Sequence, residues 1–220
     1  MYNHIIPIVG RFNDMSCIIV QDNNLSKVRV LPMFHFPLPA SARHRWAGPL
    51  LLFLFALSGC STAPPAGMDP VTPFDLTRYE GKWYELARLD HSFERGLSDV
   101  SATYRAQPDG SIEVVNRGYD SERKGWQEAT GKALFVDDPN RGSLKVSFFG
   151  PFYGGYHVVA LDQQNYRWAM VVGPNRDYLW ILARDKRIAA NVRDRLLSQA
   201  RRLGLEVDKL IWVDQARQDG

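Results

Sequence analysis

Between residues 82 and 183, apolar and polar positions alternate in short runs broken by turn formers. Val100, Ala102 and Tyr104 fall on one side of the alternation, and Ser101, Thr103 and Arg105 on the other. Ile112 and Val114 oppose Ser111 and Glu113; Leu144, Val146 and Phe148 oppose Lys145 and Ser147. A period of two marks a strand with one apolar and one wetter face. The pattern predicts eight strands, over Lys82–Leu89, Ser98–Ala106, Ser111–Tyr119, Trp126–Val136, Ser143–Phe149, Gly155–Leu161, Tyr166–Val172 and Tyr178–Ala183. Turn formers such as Pro108-Asp109-Gly110 and Gly173-Pro174-Asn175 separate them, as in a chain of hairpins. An all-β, eight-stranded antiparallel up-and-down barrel removes free edges and keeps an interior wide enough for one narrow ligand.

After the eighth run the period changes. Ile188, Val192, Leu196, Ala200 and Leu203 recur at helical spacing, and Gly204 supplies a stop. One C-terminal helix is predicted there, followed by a short final strand over Lys209–Val213. Arg193, Arg195, Arg201 and Arg202 read as the solvated face of that helix.

The leader has a different grammar. Residues 50–57 are uninterruptedly apolar, Arg43 and Arg45 precede them, and Gly59-Cys60 closes the run. A basic flank, a short apolar core and a small-residue exit read as an export signal. The run is too short for a bilayer, which needs roughly 20 apolar residues. Leu57-Ser58-Gly59-Cys60 resembles the bacterial lipobox. That resemblance implies acylation of Cys60 with palmitate-type chains and, with Ser61 in place of a retaining Asp, sorting to the outer membrane. Residues 1–32 show no sustained periodicity, whereas a start at Met33 gives a signal of ordinary length. The expected organisation is an upstream extension at 1–32, a lipoprotein signal peptide at 33–59, a lipidated tether at 60–73 and a barrel domain at 74–220.

This division changes the reading of charge. The net +3 equals the surplus of five basic over two acidic residues within 1–59, so the remainder balances 22 of each. A neutral domain offers no basic face for nucleic acid, and none is expected as a partner. Cys17 falls in the leader and Cys60 is assigned to lipid, so the domain is expected to hold without a disulfide.

Strand parity nominates Tyr104, Asn116, Phe148, Tyr156, Trp168, Tyr178 and Trp180 as an apolar lining with a few polar fixtures. His91 and His157 lie in different runs with no cysteine beside them, so no metal, cofactor or catalytic set is expected. Glu85 and Glu94 read as surface or barrel-mouth charges.

The order of eight strands, helix and strand is similar to that of the lipocalin family. In "YEGKWYELARLDHSFERG", Gly81 and Trp83 resemble that family's first signature, with Phe74–Tyr79 as the preceding turn. Asp162 and Tyr166 approximate the second, and Arg184 in "DYLWILAR" matches the third. A guanidinium stacked on an indole at the closed end of a barrel contributes roughly 0.5–2 kcal/mol, so Trp83 and Arg184 are read as structural. "VSFFGPFYGGYHVVALD" and "GPNRDYLWILAR" resemble the bacterial outer-membrane lipoprotein subgroup. What the resemblance implies is binding, storage or transport of a fatty acid or lysophospholipid, a periplasm-facing lipid anchor, a role in membrane maintenance and pairing into homodimers. The expectation is a binding protein and not an enzyme. The alternatives are a lipid-modifying enzyme on the same scaffold and a structural lipoprotein with a filled barrel.

Overall fold

The computed structural model describes residues 62–218. These residues belong to one compact unit. Its elements are a one-turn helix α1 (Leu76–Tyr79), strands β1 (Gly81–Arg88), β2 (Leu97–Ala106), β3 (Ile112–Asp120), β4 (Gly125–Phe135), β5 (Ser143–Phe149), β6 (Phe152–Leu161), β7 (Trp168–Val172) and β8 (Leu179–Ala183), helix α2 (Ala190–Arg202) and strand β9 (Ile211–Trp212). Each strand pairs antiparallel with the next, and β1 pairs with both β8 and β2, which closes the eight-stranded barrel. β9 adds outside the closure, on Ala87 and Arg88 of β1. The eight expected strands, the late helix and the final strand are all present.

Two cores follow from alternation. Inside the barrel lie Trp83, Tyr104, Ile112, Val114, Ala133, Leu144, Val158, Val171 and Leu182, capped below by Phe74 and Tyr79. On the outer face of β6, β7, β8 and β1, Met170, Val172, Leu179 and Ile181 pack against Leu196 and Ala200 of α2. The expected face of α2 is the buried one, because residues four apart stack along one side of a helix.

Four register shifts break the alternation, and the one in β1 shapes the site. In β1, Glu85 pairs with Leu182 and Ala87 with Ile181, so Leu86 is the extra residue. Leu86 and Ala87 both point outward, and Glu85 and Arg88 therefore both face the lumen. Another register shift lies between Val158 and Ala160 of β6.

The lipidated tether was expected to span residues 60–73; its described part is not loose. Val71 donates to Val158 O at 2.8 Å and accepts from Gly142 N at 2.9 Å. Met68 is 1 % exposed within the outer core, and Arg176 donates to Ala66 O at 2.7 Å. The strap runs from the β7–β8 loop toward α1, held by apolar burial that its Pro-rich composition does not advertise. Cys60, the signal peptide and the proposed start at Met33 lie outside the described residues.

Candidate ligand-binding site

The closed end is built by α1 and β1. Asp75 caps the helix by accepting from Thr77 N at 2.9 Å, and its own N–H donates to Tyr166 Oη at 3.0 Å. Trp83 is fully buried and donates from Nε1 to Tyr79 O at 2.8 Å. Arg184 lies 4.0 Å over the Trp83 ring and donates to Lys82 O at 2.9 Å and Arg78 O at 2.8 Å. Gly81 has φ of 89°, and a Cβ there would stand 3.4 Å from the Arg184 guanidinium. A side chain at this left-handed position would be strained and crowded, which accounts for the glycine.

Above the floor, three tyrosine hydroxyls meet. Tyr156 Oη lies 2.7 Å from Tyr79 Oη and 2.8 Å from Tyr104 Oη. Burial pushes all three phenols above their ordinary value, so they stay neutral hydrogen-bonding groups. A hydroxyl donates and accepts, which lets three of them satisfy one another in an apolar setting.

The opposite end carries charge. Arg88, 2 % exposed, donates from Nη1 to Glu85 Oε1 at 2.7 Å and from Nη2 to Glu94 O at 2.7 Å. Trp180 Nε1 donates to Glu94 Oε2 at 3.0 Å. Burial, then the charge of Glu94, pushes the Glu85 carboxyl well up; burial also raises that of Glu94. His91 stacks on Tyr178 with ring centroids 4.6 Å apart, and burial holds its pKa down to about 4. Of the two places expected for Glu85 and Glu94, surface or barrel mouth, the structure has the mouth: they are 3 % and 7 % exposed. The bulge at Leu86 turns the first inward, and the β1–β2 loop folds the second over the mouth.

The structure distributes the nominated lining as follows. Tyr104, Tyr156, Trp180 and Phe148 pack in the inner core. Asn116 pairs with Ala102 and Ala129, which places it on the inner face. Tyr178 stands at the mouth, just before β8, against His91 and Trp180. Trp168 is a correction. It lies on the outer face with the α2 core, with the Arg195 guanidinium 5.1 Å over its ring. Sequence reasoning missed Arg88 and His91, whose inward placement depends on the bulge and the loop. Phe148 also borders an open groove of about 680 Å³ on the barrel flank, beside Asp109, Lys132 and Ser147. Among the described residues, no group of three or more His, Cys, Asp or Glu is placed to hold a metal ion.

A closed eight-stranded antiparallel barrel with a floor helix, a tryptophan capped by arginine and a helix on one flank defines the class of small-ligand-binding β-barrels. A family model described as a lipocalin-like domain matches residues 74–215, and the chain belongs to the lipocalin family. It is 54 % identical over 162 residues to outer membrane lipoprotein Blc of Citrobacter freundii, covering 73 % of this chain and 91 % of that protein. To outer membrane lipoprotein Blc of Vibrio cholerae serotype O1 it is 50 % identical over 166 residues, covering 76 % and 96 %. Among solved structures, insecticyanin from the tobacco hornworm Manduca sexta superposes with a TM-score of 0.56 at 21 % identity. That match covers 69 % of this chain and 86 % of insecticyanin, and it speaks to the fold alone.

Proposed function

We propose that this protein is an outer-membrane lipoprotein, anchored through an acylated Cys60 and facing the periplasm, that binds and stores or transports a single-chain amphiphile such as a fatty acid or lysophospholipid. The observation that carries the reading is the asymmetry of the barrel interior: aromatic and closed at the floor, apolar along the wall, polar and charged at the mouth. Such a gradient suits a ligand with a hydrocarbon tail and one wet end. The names of the lipoprotein relatives support the location. No helix among the described residues is long and apolar enough to cross a membrane. Two copies would cover the half-exposed Phe149 and Phe152 of the β5–β6 hairpin, and sedimentation velocity reads that pairing.

Burying about a dozen methylenes at ~0.8 kcal/mol each gives a gross gain near 10 kcal/mol. Ordering and association remove several of these, which leaves an affinity around micromolar or tighter. The described residues close their own sheet and both cores, so the stretch from Ser61 to Gly220 serves as the test protein. Saturated fatty acids and lysophospholipids of eight to eighteen carbons are titrated while intrinsic tryptophan fluorescence is followed. Affinity is expected to rise with tail length and then level off. Absence of binding across the series would transfer the weight to a side-chain-filled barrel, for which the Tyr79, Trp83 and Tyr104 packing already speaks.

A further inference from the structure

The mouth of the lumen holds more acidic than basic side chains. Among the described residues, Arg88 is the one guanidinium against the two carboxyl groups of Glu85 and Glu94. Its capacity is almost used: Nη1 serves Glu85, and Nη2 serves the carbonyl oxygens of Glu94 and Leu97 at 2.7 and 3.3 Å. Its Nε stands 4.0 Å from Glu94 Oε2 and makes no hydrogen bond. His91 adds no cation, because burial and the neighbouring Arg88 keep it neutral above about pH 4. The other ionisable group that feels both carboxylates is Tyr104, which is neutral. Asp90 and its partner Arg95 form a separate, exposed pair.

An unmatched carboxylate out of water is costly, and a protein resolves it with a proton or with a second cation. The aromatic surroundings suit the cation. The rings of Trp180, Tyr178 and His91 lie within 4.6 to 6.0 Å of one another at the mouth. The faces of Trp and Tyr attract ammonium groups electrostatically. His91 is 5 % exposed, and its Nε2 is buried without a hydrogen-bond partner. In its neutral form that ring has one nitrogen able to accept an N–H. His91 is stacked between Phe93 and Tyr178, and Trp180 joins its edge to Glu94, so a buried ring nitrogen without a partner, two carboxyl groups and the Trp180 ring lie together at the mouth.

We propose that Glu85 and Glu94, with Trp180, Tyr178 and His91 around them, form a subsite for an ammonium group, so that the lumen takes amphiphiles with a cationic nitrogen in preference to carboxylates of equal tail length. The inference rests on the amphiphile-binding reading above and adds a headgroup class to it. Burial raises both carboxyls, so the pair resists losing its last proton, and an entering cation favours that loss. Binding therefore releases a proton to buffer, which an anionic ligand does not do. Arg88 remains with Glu85 and orients it.

The test uses the Ser61–Gly220 unit and four probes of one tail length, each below its micelle concentration: tetradecyltrimethylammonium, tetradecylamine, tetradecanoate and tetradecyl sulfate. Isothermal titration at pH 7.5 is run in two buffers of different ionisation enthalpy. The two cations are expected to bind at least about tenfold more tightly than the two anions, with proton release for the cations. In Glu94→Gln that preference should shrink to about threefold or less, with thermal melting as the check that the variant is folded. Equal affinities, or a preference for tetradecanoate in the unaltered protein, would overturn the subsite while leaving amphiphile binding intact. No binding of any of the four would instead overturn both readings. The selectivity ratio of the unaltered protein is decisive even if the variant fails to fold.

Discussion

Arg184 and Trp83 close the floor of the barrel together: the guanidinium lies 4.0 Å over the indole while its donors reach Lys82 O, Arg78 O and Tyr166 O. One side chain therefore ties the end of β8 to α1, to β1 and to the β6–β7 loop. Arg184→Ala is expected to lower stability by roughly 2–3 kcal/mol through lost stacking and lost carbonyl partners. Arg184→Lys should recover only part, since a point charge cannot reproduce the fork. Denaturant midpoints measure both. A large loss of ligand affinity with unchanged stability would contradict this structural role.

Trp168 and Trp180 should separate cleanly by experiment. Trp168 joins α2 to the outside of β7, so Trp168→Ala should cost roughly 1–3 kcal/mol of stability and leave ligand affinity unchanged. Trp180→Phe removes the Nε1 hydrogen bond to Glu94 at the mouth and should instead alter affinity. Titrations of both variants, scaled to the folded fraction, read the difference.

Acid should loosen the fold through His157. This side chain is fully buried, its Nδ1 lies 3.0 Å from Ser143 Oγ, and burial, with Arg141 nearby, lowers its pKa from 6.5 to about 4. The unfolded chain then binds a proton that the folded chain refuses. Stability present above pH 6.5 is lost as the pH falls toward 4. Glu85 and Glu94 act oppositely, since their raised values favour the fold below about pH 4.5 and lose that contribution as the pH rises through them. His157→Gln should therefore lose less stability than the parent between pH 6.5 and 4.5. Parallel denaturation curves for the two proteins would contradict the assignment.

Cys60→Ala is expected to abolish incorporation of labelled palmitate and to leave the precursor uncleaved. A normally processed, membrane-bound variant would remove the anchor from the proposal. Mass spectrometry of the precursor tests the start site, because a peptide from residues 1–32 would move the beginning upstream of Met33.

How much could be read in advance depended on water. β2, β3 and β5 keep one face wet, so Tyr104, Ile112, Val114 and Leu144 alternate visibly and lie inside as their parity predicts. β7 is covered on its outside by α2 and on its inside by the lumen, so Trp168, Ala169, Met170 and Val171 carry no polar contrast to tell the faces apart. Glu85 and Glu94 look like surface residues in one dimension, because nothing local records that Arg88 and Trp180 will meet them. Residues 62–73 look loose for a similar reason. Their partners, Gly142, Val158 and Arg176, are far away in sequence.

The extra residue at Leu86 makes β1 tolerant of deletion in one place and intolerant in another. Loss of the codon for Leu86 closes the bulge and leaves Trp83, Glu85 and Arg88 on their present faces; its main costs are one outward leucine and the Val213 N–H contact to its carbonyl. Loss of the codon for Tyr84 has no slack to absorb it. Every residue on one side of the gap would exchange inside for outside, and either the floor tryptophan or the mouth carboxylate would be presented to solvent.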